Sequence, residues 1–237
     1  FLSSKFGKQA MWLFSVLIAF RLFNEVWSNT MVIGSYFGPA GSSPYFAAIA
    51  LFTALTLAYS LKGGLRSSLI TDAIQMALFG VLLFVILGIL LPKTDHTVGD
   101  YLSSGSWTMA TGVNLLLVAL LQVFSYPFHD PVLTDRAFIS DPKITRKSFF
   151  WATWIGIACI VLFSFVGVFA QFQGLEGQAP VEVAKILGPG MMLLMNVIMV
   201  TSAASTLDST FTSFSKLAVV DLAGGKTISL KRGRIFM

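Results

Sequence analysis

Charge is what this sequence has least of. Only 11% of its 237 residues are Asp, Glu, Lys or Arg, against about 25% in an ordinary soluble domain. It holds one cysteine and two histidines. A lone cysteine excludes an internal disulfide, and Cys159 sits inside an apolar run, where it says nothing about compartment. One cysteine and two scattered histidines make no zinc-type cluster. No nucleophile–base pair stands out, so an enzyme is not expected. There is no low-complexity segment, no clear internal repeat and no visible signal peptide. The chain opens on Phe1 and closes at Met237, where Arg234-Ile235-Phe236-Met237 reads as the start of another helix. An internal fragment of a longer protein is expected.

What is present is hydrocarbon. Hydrophobic residues make up 55% of the chain, and the mean hydropathy is +0.79. Combined with several long apolar runs, this predicts an all-α, polytopic integral membrane protein whose first partner is the lipid bilayer. The net charge of +5 is not a nucleic-acid signal, because the basic residues lie in short stretches between apolar runs. Six segments emerge, at roughly Lys8–Phe37, Tyr45–Leu61, Ser68–Leu91, Val113–Asp135, Ser148–Phe172 and Gly190–Leu222. They read as one transmembrane domain over residues 1–237. Between the last two, Ala179–Leu187 is expected to be a short surface helix.

Lys and Arg sort by loop. Lys5, Lys8, Lys62, Arg66, Arg136, Lys143, Arg146, Lys147, Lys226, Lys231, Arg232 and Arg234 fall in alternate loops, and only Lys93 and Lys185 in the opposite ones. The positive-inside tendency makes the first group cytoplasmic. Both ends of the chain are then cytoplasmic, in what is expected to be a plasma (inner) membrane.

Three polar features interrupt the apolar runs. Arg21 and Glu25 are four apart in the first segment, with Asn24 and Ser28 on the same face. An intramembrane ion pair is expensive and faces a bundle interior; here it reads as a pin between helices or as part of a cavity wall. Phe124-Ser-Tyr-Pro-Phe-His-Asp-Pro131 sets two prolines four apart, which reads as a proline kink or as the discontinuous helix of a transport site. The last segment is the richest. Thr201 to Ser215 holds nine hydroxyl residues and Asp208 in fifteen positions. On a helix Ser202, Ser205, Thr206, Ser209 and Ser213 share one face, and Ala203, Ala204, Leu207, Phe211 and Phe214 another. A row of oxygens without His or Cys suits a hard monovalent cation.

The order Ser-Thr-Leu-Asp-Ser, then a Ser/Thr-rich turn and Val-Val-Asp-Leu, resembles the sodium:solute symporter family of sodium/proline, sodium/glucose and sodium/sialic acid cotransporters. Leu61-Lys62-Gly63-Gly64-Leu65-Arg66, expected to be a tight turn, followed by Thr71-Asp72 and Gln75, resembles the signature at the start of that family's fifth core helix. Asp135-Arg136 with Ser140-Asp141 resembles the Gln-Arg and Ala-Lys segment after its sixth, with substitutions. The resemblance implies the leucine-transporter inverted-repeat fold, of which these six helices are core helices three to eight. The first two and last two core helices would lie outside the chain.

The resemblance also implies roles. Ser205 and Thr206 lend side-chain oxygens to a sodium ion, joined by the carbonyl of Ser202. Asp72 faces Asp208 and Ser209 in a second cation site. By its position alone Asp72 is equally a carboxylate favoured near a helix N-terminus. Two carboxylates facing one space stay ionised only with a shared cation or proton. Counting back from Arg136 places Tyr126 where sugar-transporting members carry a tyrosine beside the substrate, with Ser125 and Gln122 near it. Ser125 and Pro127 replace the neighbouring aromatics, so a sugar held in the same way is not expected. The implied function is sodium-coupled symport of a small organic solute, an amino acid, carboxylate or related compound, with sodium as coupling ion and no other cofactor. The alternative is a transporter-like sensor domain of a signalling protein.

Overall fold

A computed structural model describes the backbone of residues 2–137, 140–222 and 230–237, and their side chains except at 2–4, 63–67, 135, 136, 221 and 230. Helix accounts for 86% of it, with no strand among the described residues. In chain order the helices are α1 Leu2–Ser35, α2 Ser43–Leu90, α3 Val98–Ser103, α4 Gly112–His129, α5 Pro131–Ala137, α6 Pro142–Phe172, α7 Ala179–Leu187, α8 Pro189–Lys216 and α9 Leu230–Phe236. Six stretches are long and apolar enough to cross a membrane: Lys5–Ser35, Ser43–Lys62, Ser68–Lys93, Gly112–His129, Pro142–Phe172 and Pro189–Val220. α4 has no buried side chain. A mainly apolar helix with no buried side chain needs a nonpolar solvent, which is what a bilayer is.

The boundaries differ from the sequence reading in three places, each for a local reason. Gly7 has φ +81° inside α1, a left-handed conformation that glycine adopts at little cost. It separates a short first stretch from the apolar run that follows. Helical backbone runs from Ser43 to Leu90 in α2, but Tyr59 and Asp72 both meet the same turn of α8, at Ala204 and Ser205, where a straight helix would hold them about 20 Å apart. The chain therefore reverses between residues 59 and 72, in the region where the turn at Leu61–Arg66 is expected. The side chains at 63–67 lie outside the described residues. α6 begins six residues earlier than expected. Asp141 Oδ1 accepts the Lys143 N–H at 2.8 Å and Pro142 fills the first position, the favoured helix start. The basic Lys143–Lys147 stretch is therefore helical. α8 ends at Lys216 and passes into a π-turn over Leu217–Asp221.

The chain divides into two compact units. One comprises Phe1–Gln75, His129–Arg136 and Met199–Met237. Its core is Ile33 of α1, Ala48 of α2, and Val200, Ala203, Leu207 and Phe211 of α8, with Val26, Phe52, Leu57 and Met237 packed against them. The apolar face expected on the last segment is thus a packing face, apart from Phe214, which is exposed.

The other unit comprises Met76–Phe128 and Ala137–Ile198. Here α7, found where expected, lays Val181, Val183 and Ala184 into the interior. Tyr101 of α3 stacks on Phe165 at 5.0 Å and meets Phe172 edge-on at 5.2 Å, and His96 stacks on Phe172 at 3.9 Å. α3 starts at a capping box in which Thr97 and Asp100 bond reciprocally. The Thr97 N–H and hydroxyl together hold the Asp100 carboxyl below the usual carboxylate range.

Candidate functional site

The polar residues of α8 meet the polar residues of α2 in the first unit. On α2, Ser68, Thr71, Asp72 and Gln75 follow the i, i+3, i+4, i+7 spacing of one helical face. On α8, Ser205, Asp208 and Ser209 do the same over one turn. The helices are antiparallel at the contact, because Ser68 bonds to Asp208 and Asp72 bonds to Ser205.

Asp208 is the centre. It is 0% exposed. Its Oδ1 accepts from Ser68 Oγ at 2.6 Å and from Ser209 Oγ at 3.1 Å. Its Oδ2 accepts from Thr71 Oγ1 at 3.1 Å. The Tyr59 hydroxyl, bonded to the Ala204 carbonyl at 3.3 Å, also lies against this carboxylate. Asp208 makes no ion pair among the described residues. A buried carboxylate without a counter-charge is tolerated only when hydrogen-bonded in this way.

Ser68 Oγ and Ser209 Oγ also share a hydrogen bond at 3.3 Å in which either can donate, so the two hydroxyls and the carboxylate form one connected cluster.

Asp72 adds a second carboxylate. It accepts from Ser205 Oγ and is near enough to Asp208 for the two charges to repel. One turn on, Gln75 Oε1 is buried and accepts no hydrogen bond. The groups gathered here are hydroxyl and carboxylate oxygens. That donor set fits a hard cation such as Na⁺ and fits no soft metal.

The sequence-derived residues divide among several places. Asp72, Asp208, Ser209 and Ser205 come together. Ser202 and Thr206 pair with each other, Thr206 Oγ1 reaching the Ser202 carbonyl at 3.3 Å. Ser205, expected to act beside Thr206, bonds Asp72. Gln122, Ser125 and Tyr126 belong to the other unit. There Gln122 Nε2 donates to Tyr126 OH at 2.9 Å, and Ser125 Oγ to the Gln122 carbonyl at 2.8 Å. Sequence reasoning missed Ser68 and Tyr59. The i, i+4 relation of Ser68 to Asp72 was the available signal for the first. Tyr59 had none, because its partner is a backbone carbonyl 145 residues away.

It also missed Asp130. α4 continues through Pro127 and stops at His129, so the break falls between the prolines. Asp130 Oδ1 then accepts the Val132 and Leu133 N–H groups, at 2.9 and 3.3 Å, as the cap of α5. Its other oxygen lies 3.8 Å from Arg21 Nη2, while Arg21 Nη1 bonds Glu25. The arginine therefore ties α1 to the start of α5, the pin rather than an isolated pair. Arg21→Ala leaves two carboxylates at one point and is expected to cost about 2 kcal/mol of stability. Restoring neutrality with Arg21→Ala/Glu25→Gln should recover part of it. Thermal unfolding of both variants in detergent measures this, and equal melting of Arg21→Ala and wild type would remove the pin.

No protein-family model, curated protein or solved structure matches the chain.

Proposed function

We propose that the chain is the membrane-spanning part of a sodium-coupled symporter for a small organic solute. The observation that carries this is the wholly buried Asp208, ringed by hydroxyls of two helices with Asp72 beside it. A monovalent cation at this point neutralises one carboxylate and relieves the repulsion between Asp72 and Asp208. Its binding therefore draws α2 and α8 together, and its release favours their separation. A cation preferring one arrangement of these helices shifts the balance between arrangements by its differential affinity, which is all that coupling requires. Moving one charge through 100 mV supplies about 2.3 kcal/mol.

The sodium:solute symporter reading belongs to this proposal. It comprises core helices three to eight of a leucine-transporter arrangement, cytoplasmic chain ends and a plasma membrane location. Support comes from the two motifs around Asp72 and Ser205, which meet at one contact although 133 residues separate them. The polar edge formed by Gln122, Ser125 and Tyr126 suits a polar solute.

The test is uptake of labelled amino acids and carboxylates by vesicles holding the full-length protein, with sodium or potassium outside. Sodium-dependent uptake that needs far more sodium in Ser205→Ala/Thr206→Ala is expected. Uptake driven by a proton gradient with no sodium requirement would make Asp72 and Asp208 a proton site. No uptake of any solute by folded, sodium-binding protein would favour a sensor.

A further inference from the structure

A second polar feature lies at the end of the spans, away from the Asp208 cluster. An open surface pocket of about 730 Å³ in the first unit is lined by Ala58, Leu61 and Lys62 of α2 and by Lys231, Arg234 and Ile235 of α9. Three cations thus share one pocket, and none of them makes an ion pair among the described residues. Like charges held together without a counter-charge are a cost unless an anion is there to be bound. The grouping is built rather than incidental. Ser215 Oγ donates to the Gly233 carbonyl at 2.8 Å, which ties α9 to the end of α8. A Cβ at position 233 would stand 3.1 Å from that same oxygen, so glycine permits the approach. Met237 packs on the Ile33–Ala48–Leu207 core and holds the far end of α9.

The pocket has two kinds of wall. Lys62 lies where the chain reverses between Tyr59 and Asp72, which meet the same turn of α8. Lys231 and Arg234 follow the apolar stretch Pro189–Val220, so the cations stand at the end of apolar spans, where hydrocarbon gives way to headgroups. Ala58, Leu61 and Ile235 make the other wall, and Ile235 is 72% exposed. A free phosphate has no use for that wall, whereas an acyl chain does. Basic pockets at the ends of membrane helices are suited to phosphate headgroups.

We propose that this pocket binds an anionic phospholipid, its headgroup phosphate between Lys62, Lys231 and Arg234 and its acyl chain along Ala58, Leu61 and Ile235. The inference rests only on the protein lying in a membrane and is independent of sodium coupling.

The experiment is native mass spectrometry of the full-length protein, delipidated in detergent and titrated with phosphatidylglycerol or phosphatidylcholine. Preferential retention of phosphatidylglycerol is expected. Each basic residue contributes about a fivefold preference, so Lys62→Gln/Lys231→Gln/Arg234→Gln should weaken binding about a hundredfold. Lys62→Arg/Lys231→Arg keeps the charge and should bind as wild type, which separates loss of the site from loss of the fold. Lys143→Gln/Lys147→Gln, on α6, removes charge elsewhere and should change nothing. Equal binding of the two lipids, or an equal loss in the α6 control, would overturn the site. Displacement of the lipid by inorganic phosphate at constant ionic strength would overturn the lipid assignment in favour of a free phosphate.

Discussion

Asp208→Ala will destabilise the protein by about 3–5 kcal/mol. Three hydroxyls donate to this carboxylate from Ser68, Thr71 and Ser209, and a hydrogen bond to a charged group contributes about 1.5–3 kcal/mol. The gross loss is therefore about 5–9 kcal/mol, from which relief of the repulsion with Asp72 subtracts a part. The site is wholly buried, so water does not replace the lost acceptor without a cavity opening. Asp208→Asn keeps the volume and one acceptor oxygen, and should cost roughly half as much. Adding Ser68→Ala to Asp208→Ala should cost less than the sum, because the serine has already lost its partner. Thermal or denaturant unfolding of the purified protein in detergent is the measurement. A stability change in Asp208→Ala no larger than that of a surface substitution would show that the hydroxyl cage is not formed.

Asp72→Asn should leave the fold intact and remove most of the effect of sodium. The substitution is nearly isosteric and keeps an acceptor for Ser205, so the α2–α8 contact survives. What goes is one of two negative charges. A cation present at about 100 times its Kd stabilises the folded state by about 2.7 kcal/mol. Losing one charged ligand costs about the same in binding, a hundredfold in affinity. At the same concentration the stabilisation then falls to about 0.4 kcal/mol. Melting temperature against sodium chloride, with potassium chloride holding ionic strength constant, reads this directly. A variant that titrates like wild type, or that transports with unchanged sodium stoichiometry, would take Asp72 out of cation binding. Done together, the two substitutions separate a structural carboxylate from a ligand: Asp208 affects stability without sodium, and Asp72 affects the response to it.

The membrane class and the positions of most spans were legible because apolar surface has only two resting places, a core or a bilayer. This chain has too little charge to solubilise the remainder. The hydroxyl run of α8 was legible too, since nine oxygens in an apolar segment need internal partners. α7 could be read because its apolar positions and flanking breakers are local. What sequence position did not carry was pairing across the fold. Asp130 looked like part of a proline kink; it caps α5 and meets Arg21 only because two segments more than 100 residues apart pack together. The bond between Ser205 and Asp72 joins segments 133 residues apart.

By itself, then, the sequence determined an all-helical chain of six apolar spans, together with the helix that bears the oxygens. Those follow from hydropathy and periodicity, which are properties of neighbouring residues. Only the tertiary structure decided that Asp208 is caged by Ser68 and Thr71, that Arg21 faces Asp130, and that Lys62 shares a pocket with Lys231 and Arg234. Each of these is a contact between distant segments. Its geometry depends on the angle and register at which two helices pack, and no local pattern encodes that.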